Sequence, residues 1–377
     1  MGLRSLKSRT ERFFEDMDYI LFIPVVLLTV IGLFVMNYVF KAGYGSGTYP
    51  GNFIKQMGAA VFGVLMALLL CLLDNMSLRL LGWIVYGLSF LLLIVVKIDN
   101  YSLAALTGAD SWIYLPLVGS FQPSELAKIG IAMVAATYFN EMKEGELELS
   151  RGFIRVLAVY GLPVFLIYRE PDFGTSFVIV IMLMVTLFVW GISWKYIVGI
   201  AVGGIAIFAF LWNFSFSPYM RNRVLSLIFP SQDLTESYHL EQAIQAIASG
   251  GVSGNKSGLD VYVPVKESDF IYSAISEHLG MIGTVTLIIL IIIFLSRAIY
   301  LAWKVQEMDH YSSYLLIALT AAQAFHFIEN MGMNVGLLPI TGIPLPFISS
   351  GGTSMVVNYF ALGLMLNISM AYKQFKA

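Results

Sequence analysis

The chain has 377 residues, 58% of them hydrophobic and 12% charged, with a mean hydropathy of +0.79; a soluble domain carries about twice that charged fraction. The net charge of −2, with no basic block and no basic stripe interleaved with aromatics, argues against a nucleic-acid partner. A single cysteine, Cys71, rules out an intrachain disulfide, and the scattered His239, His278, His310 and His326 match no zinc spacing.

Repeated apolar runs of about 18 residues or more predict an all-α integral membrane protein with about ten transmembrane helices. They fall at about 18–40, 53–73, 78–97, 123–141, 152–168, 172–190, 193–214, 277–303, 311–331 and 352–372. No linker divides them, so residues 1–377 read as a single polytopic membrane domain with one large extracytoplasmic loop at about 215–276. The first run is too long for a signal-peptide core and no small-residue cleavage site follows, which predicts a retained anchor. Arg4, Lys7, Arg9 and Arg12 precede it. With that tail inside and ten spans, both termini are expected in the cytoplasm. Thirteen Lys and Arg then fall on the inner side and eight on the outer, four of those eight in the long loop.

The motifs follow in chain order. Gly108-Ala109-Asp110-Ser111-Trp112-Ile113 precedes Gln122-Pro123-Ser124-Glu125, where Pro123 suits a first helical turn. Glu125 and Lys128, three apart, share one face inside a span. They read either as a structural ion pair or as one wall of a polar cavity. Asp172, in Arg169-Glu170-Pro171-Asp172-Phe173-Gly174-Thr175, either caps the next helix or lines that cavity. Gly199-x-x-x-Gly203 reads as a helix-packing face.

In the large loop, Arg221 and Arg223 suit a phosphate or pyrophosphate, or lipid headgroups. His239–Ser249 places Leu240, Ala243, Ile244 and Ile247 on one side, as a helix lying in the membrane interface would. Gly250-Gly251-Val252-Ser253-Gly254-Asn255-Lys256-Ser257 imitates a P-loop, but Asn255 stands where the second Gly is required, which excludes the nucleotide reading. Asp269, beside Phe270, is either a helix cap or a general base tuned by its surroundings; Glu277 lies eight residues on, near the predicted start of the eighth span. The Pro- and Gly-rich stretch from Asn330 to Thr353 cannot be a continuous span. It must be buried against protein or line a groove.

Together, Gln122-Pro123-Ser124-Glu125 with Lys128, Pro171-Asp172-Phe173-Gly174-Thr175, Asp269-Phe270 with Glu277 and Leu279-Gly280, and Gly336-Leu337-Leu338-Pro339 through Gly351-Gly352 resemble the SEDS family (shape, elongation, division, sporulation) of RodA, FtsW and SpoVE. The likeness runs from the first span to the last. It leans to the RodA branch, because a short tail leads directly into Asp18-Tyr19. Three positions depart from the family's usual pattern: Asp110-Ser111 replaces Arg-Arg before Trp112, Val265-Lys266-Glu267-Ser268 replaces Glu-x-His-Thr, and Ser350 replaces Tyr before Gly351-Gly352.

The resemblance implies a peptidoglycan glycosyltransferase of the bacterial cytoplasmic membrane that polymerises glycan strands from lipid II on the outer face. It also implies a class B penicillin-binding protein as transpeptidase partner, and it matches the family's essential aspartate to Asp269. A hydroxyl is a poor nucleophile at neutral pH, so a carboxylate that takes its proton fits this chemistry. The expected site comprises Asp269 as catalytic residue, with Glu125, Lys128, Asp172, Arg221, Arg223 and Glu277 around the substrate. A divalent cation, Mg or Mn, would suit the pyrophosphate leaving group, although no dedicated cage is visible. Two rival classes remain at this level: a lipid II flippase, and a non-catalytic scaffold for the transpeptidase.

Overall fold

In lipid every backbone polar group must find a partner within the protein, and a helix supplies one residue by residue. The computed structural model describes residues 13–42, 51–97, 111–115, 119–170, 172–214, 221, 234–257 and 259–376. Each of the ten apolar stretches falls on a helix of 18 residues or more. These are α1 (Tyr19–Lys41), α2 (Gly51–Leu70), α3 (Asn75–Val95), α4 (Pro123–Lys143), α5 (Leu149–Tyr168), α6 (Phe173–Trp190) and α7 (Trp194–Phe214). After the loop helix α8 (Leu234–Ser249) come α9 (Ile271–Val305), α10 (His310–Asn334) and α11 (Gly352–Lys376). Among the described residues, eight helices are long and apolar enough to cross a membrane. A short antiparallel ribbon, β1 (Ile113–Leu115) with β2 (Gly119–Phe121), leads into α4.

Aspartates start several of these helices by accepting an otherwise orphaned N–H. Asp18 caps α1 through Leu21, Asp74 caps α3 through Ser77, Asp172 caps α6 through Thr175 and Asp309 caps α10 through Tyr311. Asp18 does more. Buried, it also accepts from Arg297 of α9 at 2.9 Å and from Ser369 of α11 at 2.7 Å, tying three helices at the end of the bundle opposite the long loop.

α4 and α10 form the centre. α4 packs on α3, α5 and α10; α10 packs on α4, α6 and α9; α11 lies along α2. Small residues set the close approaches. A Cβ added to Gly363 of α11 would lie 2.7 Å from the Ala67 Cα of α2, and one at Gly130 of α4 would lie 2.7 Å from the Tyr86 Cα of α3. Gly199 and Gly203 of α7 behave otherwise. An added Cβ at either meets nothing within 4 Å, so the predicted packing face is uncovered among the described residues.

Two boundaries differ from those predicted. α9 starts at Ile271, six residues before the expected span, and breaks at Gly280, whose φ of 64° only glycine adopts readily. Residues 271–277 are buried in protein, so the hydropathy signal of a lipid-facing span starts later than the helix. The Pro- and Gly-rich stretch is a non-helical plug over 335–351. Ile343, Leu345, Phe347 and Ile348 are each at most 3% exposed. The Phe347 ring meets Phe294 of α9 and Tyr359 of α11 edge-on. Gln56 of α2 gives the plug a backbone-like partner: its amide donates to Ser349 O and accepts from Gly351 N, each at 3.0 Å.

Candidate active site

The large loop meets the helices through backbone. At the Gly280 break the amides of Met281 and Ile282 lose their helical acceptors, and they donate instead to the carbonyls of Gly251 and Val252 at 2.9 and 3.2 Å. Asn255 N returns a bond to Glu277 O at 2.7 Å. An added Cβ at Gly250 would lie 1.9 Å from Ser276 O, and at Gly254 2.2 Å from His278 O. Gly250 and Gly254 of the P-loop-like run therefore permit backbone-to-backbone contact with the kinked helix.

α8 was predicted from 239 and begins at Leu234. Its buried face is the one expected at Leu240, Ala243 and Ile247, but not at Ile244. Ala243 and Ala246 are fully buried against Val263, Phe270, Met333 and Ile340, whereas Ile244 is 45% exposed. This apolar face is thus covered by protein, because the loop folds back over the end of α10.

That fold-back fixes Asp269. The residue is half-buried, and the capping position of α9 is Phe270, with no side-chain cap bond. Asp269 thus lies one residue before the capping position of this helix. Its backbone carbonyl accepts from two amides of α10, Asn330 Nδ2 at 3.0 Å and Asn334 Nδ2 at 3.1 Å. On the plug side, an added Cβ at Gly342 would lie 3.3 Å from Asp269 Oδ2. The turn before it is tight. Val265 has φ of 52°, unusual for a β-branched residue, and Ser349 Oγ donates to Ser268 O at 2.7 Å.

Glu277 is not beside that carboxylate in role. It is fully buried and ion-paired with Lys266, which also donates to Val261 O at 2.9 Å, while Glu277 Oε1 accepts from Val261 N at 2.7 Å. Lys266, one of the departures from the family's usual pattern, is thus a buried strut of the loop. Asp260, Glu277 and His278 bring ligand atoms within 4.8 Å of one another. This set does not fit a resident dication, because the Lys266 ammonium already neutralises Glu277 there.

Glu125 and Lys128 are paired at 2.7 Å, 2% and 5% exposed, and a third group joins them. Lys128 Nζ lies 2.7 Å from His326 Nε2, and His326 Nδ1 lies 3.4 Å from Pro344 O in the plug. Beside them is a cavity of about 20 Å³, lined also by Gln323, Asn358 and Met182. That volume suits about one water. Glu125 Oε2, with no hydrogen-bond partner among the described residues, is buried nearby. Both readings of the pair meet here: it is a structural ion pair, and its cavity is small and closed.

Asp172 caps α6 with one oxygen. With the other it accepts from Gln122 Nε2 at 3.0 Å and Ser124 Oγ at 3.1 Å, so it also ties α6 to the start of α4. Arg221 donates to Asn213 O at 3.3 Å, at the end of α7. Arg223 and Asp110 lie outside the described residues. Composition alone did not bring forward Gln56, His326, Asn330 and Asn334. The available signal was polar residues four apart in an apolar helix, 326, 330 and 334, which share one face.

The fold and this site define a polytopic helical membrane protein with a polar, plug-lined cluster where the long loop meets the helix ends. The chain belongs to the cell cycle protein family of FtsW, RodA and SpoVE, which matches residues 18–374. It is 30% identical over 353 residues to peptidoglycan glycosyltransferase MrdB of Escherichia coli K12, covering 92% of each chain. It is 30% identical over 362 residues to stage V sporulation protein E of Bacillus subtilis 168, covering 93% of this chain and 96% of that one. A solved chain from a study of polymerization and crosslinking by a peptidoglycan synthase complex superposes with TM-score 0.79 at 26% identity, over 95% of this chain and 99% of that one. The rod shape determining protein RodA of Thermus thermophilus gives TM-score 0.67 at 25% identity, over 94% and 96%.

Proposed function

We infer that this chain is a peptidoglycan glycosyltransferase of the bacterial cytoplasmic membrane, polymerising glycan strands for cell-wall synthesis. The observation that carries the reading is Asp269, a half-buried residue whose backbone carbonyl is held by two amides of α10 and whose carboxylate lies beside Gly342 of the plug. Its substrate is lipid II, presented with the polyprenyl chain in the bilayer and the pyrophosphate at headgroup level. In the proposed step Asp269 accepts the proton of an acceptor sugar hydroxyl. The hydroxyl oxygen bonds to the anomeric carbon of the donor, whose bond to the pyrophosphate breaks, and the pair of electrons leaves with the lipid pyrophosphate.

Arg221 and Arg223 are the candidate counter-charges for that leaving group. A dication, Mg or Mn, would ride on the pyrophosphate itself. Lys/Arg placement supports cytoplasmic termini and an outer loop, and a class B penicillin-binding protein as partner is supported by the peptidoglycan synthase complex among the solved relatives.

The test is lipid II polymerisation by purified protein, alone and with its transpeptidase, with no ATP or gradient. Asp269→Asn keeps the shape of the side chain but cannot take the proton. It should lower the rate by about 10²–10⁴-fold while leaving complex formation intact. Polymerisation within a few-fold of wild type would remove Asp269 from the base role. Lipid II movement without polymerisation would favour a flippase. In the same assay EDTA should slow the reaction, and no response would remove the dication. An impermeant thiol reagent should label a cysteine at Ser253 and not one at Ser150, in a Cys71→Ser background; the opposite pattern would reverse the orientation.

A further inference from the structure

We propose that Asn330 and Asn334 of α10 are positioning residues that set the direction of the Asp269 carboxylate. This inference rests on the reading of Asp269 as the general base.

A buried carbonyl needs one hydrogen-bond partner, and most have one. The Asp269 carbonyl has two, both side-chain amides from a single helix face, at 3.0 and 3.1 Å. Two donors on one oxygen fix the plane of the Asp269–Phe270 peptide. The same amides grip what surrounds it. Asn330 Nδ2 also donates to Ile343 O of the plug at 2.8 Å, and Asn334 Oδ1 accepts Ser273 N of α9 at 3.2 Å. The carboxylate, the plug residue before Pro344 and the first turn of α9 are thus referenced to one rigid helix end. Phe270, 2% exposed in the apolar cluster under α8, holds the other side of the peptide.

A purely stabilising amide would satisfy its own acceptor. Asn330 is fully buried, and its Oδ1 has no hydrogen-bond partner among the described residues. Both hydrogens are committed to the carbonyls of Asp269 and Ile343, and the oxygen is left over. An unpartnered buried acceptor is costly. Asn330 thus spends both donors on the two carbonyls beside the carboxylate rather than on its own surroundings. Glu329, one residue earlier and buried, accepts from Thr341 Oγ1, next to the Gly342 that abuts Asp269. The last turns of α10 therefore hold the base from its backbone and the plug from its side chains. Misplacing a reacting group by about 1 Å costs on the order of 10²-fold.

The experiment compares full-length wild type, Asn330→Leu, Asn334→Leu and Asp269→Asn in lipid II polymerisation and in hydrogen exchange over residues 264–273. Leucine keeps the branched shape of the side chain, though it is larger, and removes the donors. For Asn330→Leu we expect kcat to fall about 10–100-fold, KM to stay within about threefold, and the 264–273 amides to exchange faster. Asn334→Leu should move kcat and exchange the same way by a smaller factor. Should Asn330→Leu not fold, Asn334→Leu decides alone. Wild-type kcat and exchange in the asparagine variants, with Asp269→Asn inactive, overturns the positioning role and leaves the base reading standing. So does a loss carried by KM with unchanged exchange. An active Asp269→Asn overturns the base reading, and the inference with it.

Discussion

α10 and α11 are buried over 83% of their apolar windows, whereas α2 and α3 are buried over only 28%. Yet α2 and α3 are the more apolar pair, and α10 and α11 carry the asparagines, serines, Gln323, His326 and Glu329. The order is the reverse of a soluble protein's. Lipid is as apolar as leucine, so no hydrophobic force draws the apolar helices inward, and polar side chains go where they find partners. Thr29 with Tyr359, Gln323 with Asn358, and Asn367 with the carbonyls of Leu70 and Leu73 are such partners, across the interfaces of the inner helices. Asp269 lies at the end of that polar interior, against Asn330 and Asn334.

Three substitutions test this contrast, from the largest effect to the smallest. Lys128→Met removes the charge that Glu125 and His326 share. Breaking a buried pair costs about 3–5 kcal/mol in soluble proteins. The melting point in detergent should fall by roughly 5–10 °C, and Glu125→Gln on top should recover part of it. Single variants that melt like wild type would show that the inner pair is not stabilising.

Gly363→Val forces a side chain into the Ala67 backbone at the α2–α11 contact. Overpacking of this kind costs about 1–3 kcal/mol, with a correspondingly smaller fall in melting point and activity retained after reconstitution. Leu65→Ala lies on the opposite side of α2, where Leu65 is 56% exposed. Exchanging leucine for alanine against lipid should change stability by less than about 0.5 kcal/mol. If Leu65→Ala is as harmful as Gly363→Val, that face is covered in the cell by another protein, and the contrast between inner and outer helices must be redrawn.

Much of the site was legible at the level of residue type. Asp269 was singled out by its place beside an aromatic at the head of a span. Glu125 and Lys128 stood out as charges three apart in an apolar run, and their 2.7 Å pairing follows from helical geometry. Asp172 behaves as the cap its position suggested, with two further donors from α4 that no local pattern shows. The Gly250–Gly254 run was recognisable as special, but its purpose depends on the Gly280 kink, which lies 26 residues beyond Gly254. The face of α8 was misread at Ile244, because an apolar moment tells that a side is apolar and not whether lipid or protein covers it.

What the sequence by itself determined is the membrane class, the long helices, the irregular plug and the family. All of these follow from hydropathy, from the backbone's need for partners and from short motifs, and each is written within a few turns of chain. Only the tertiary structure decided what holds Asp269. The two amides on the Asp269 carbonyl come from 61 and 65 residues away, and the Pro344 carbonyl meets a histidine that also touches Lys128. Hydrogen bonds between distant helices depend on which faces meet, and a one-dimensional pattern of polar and apolar residues contains no statement of that.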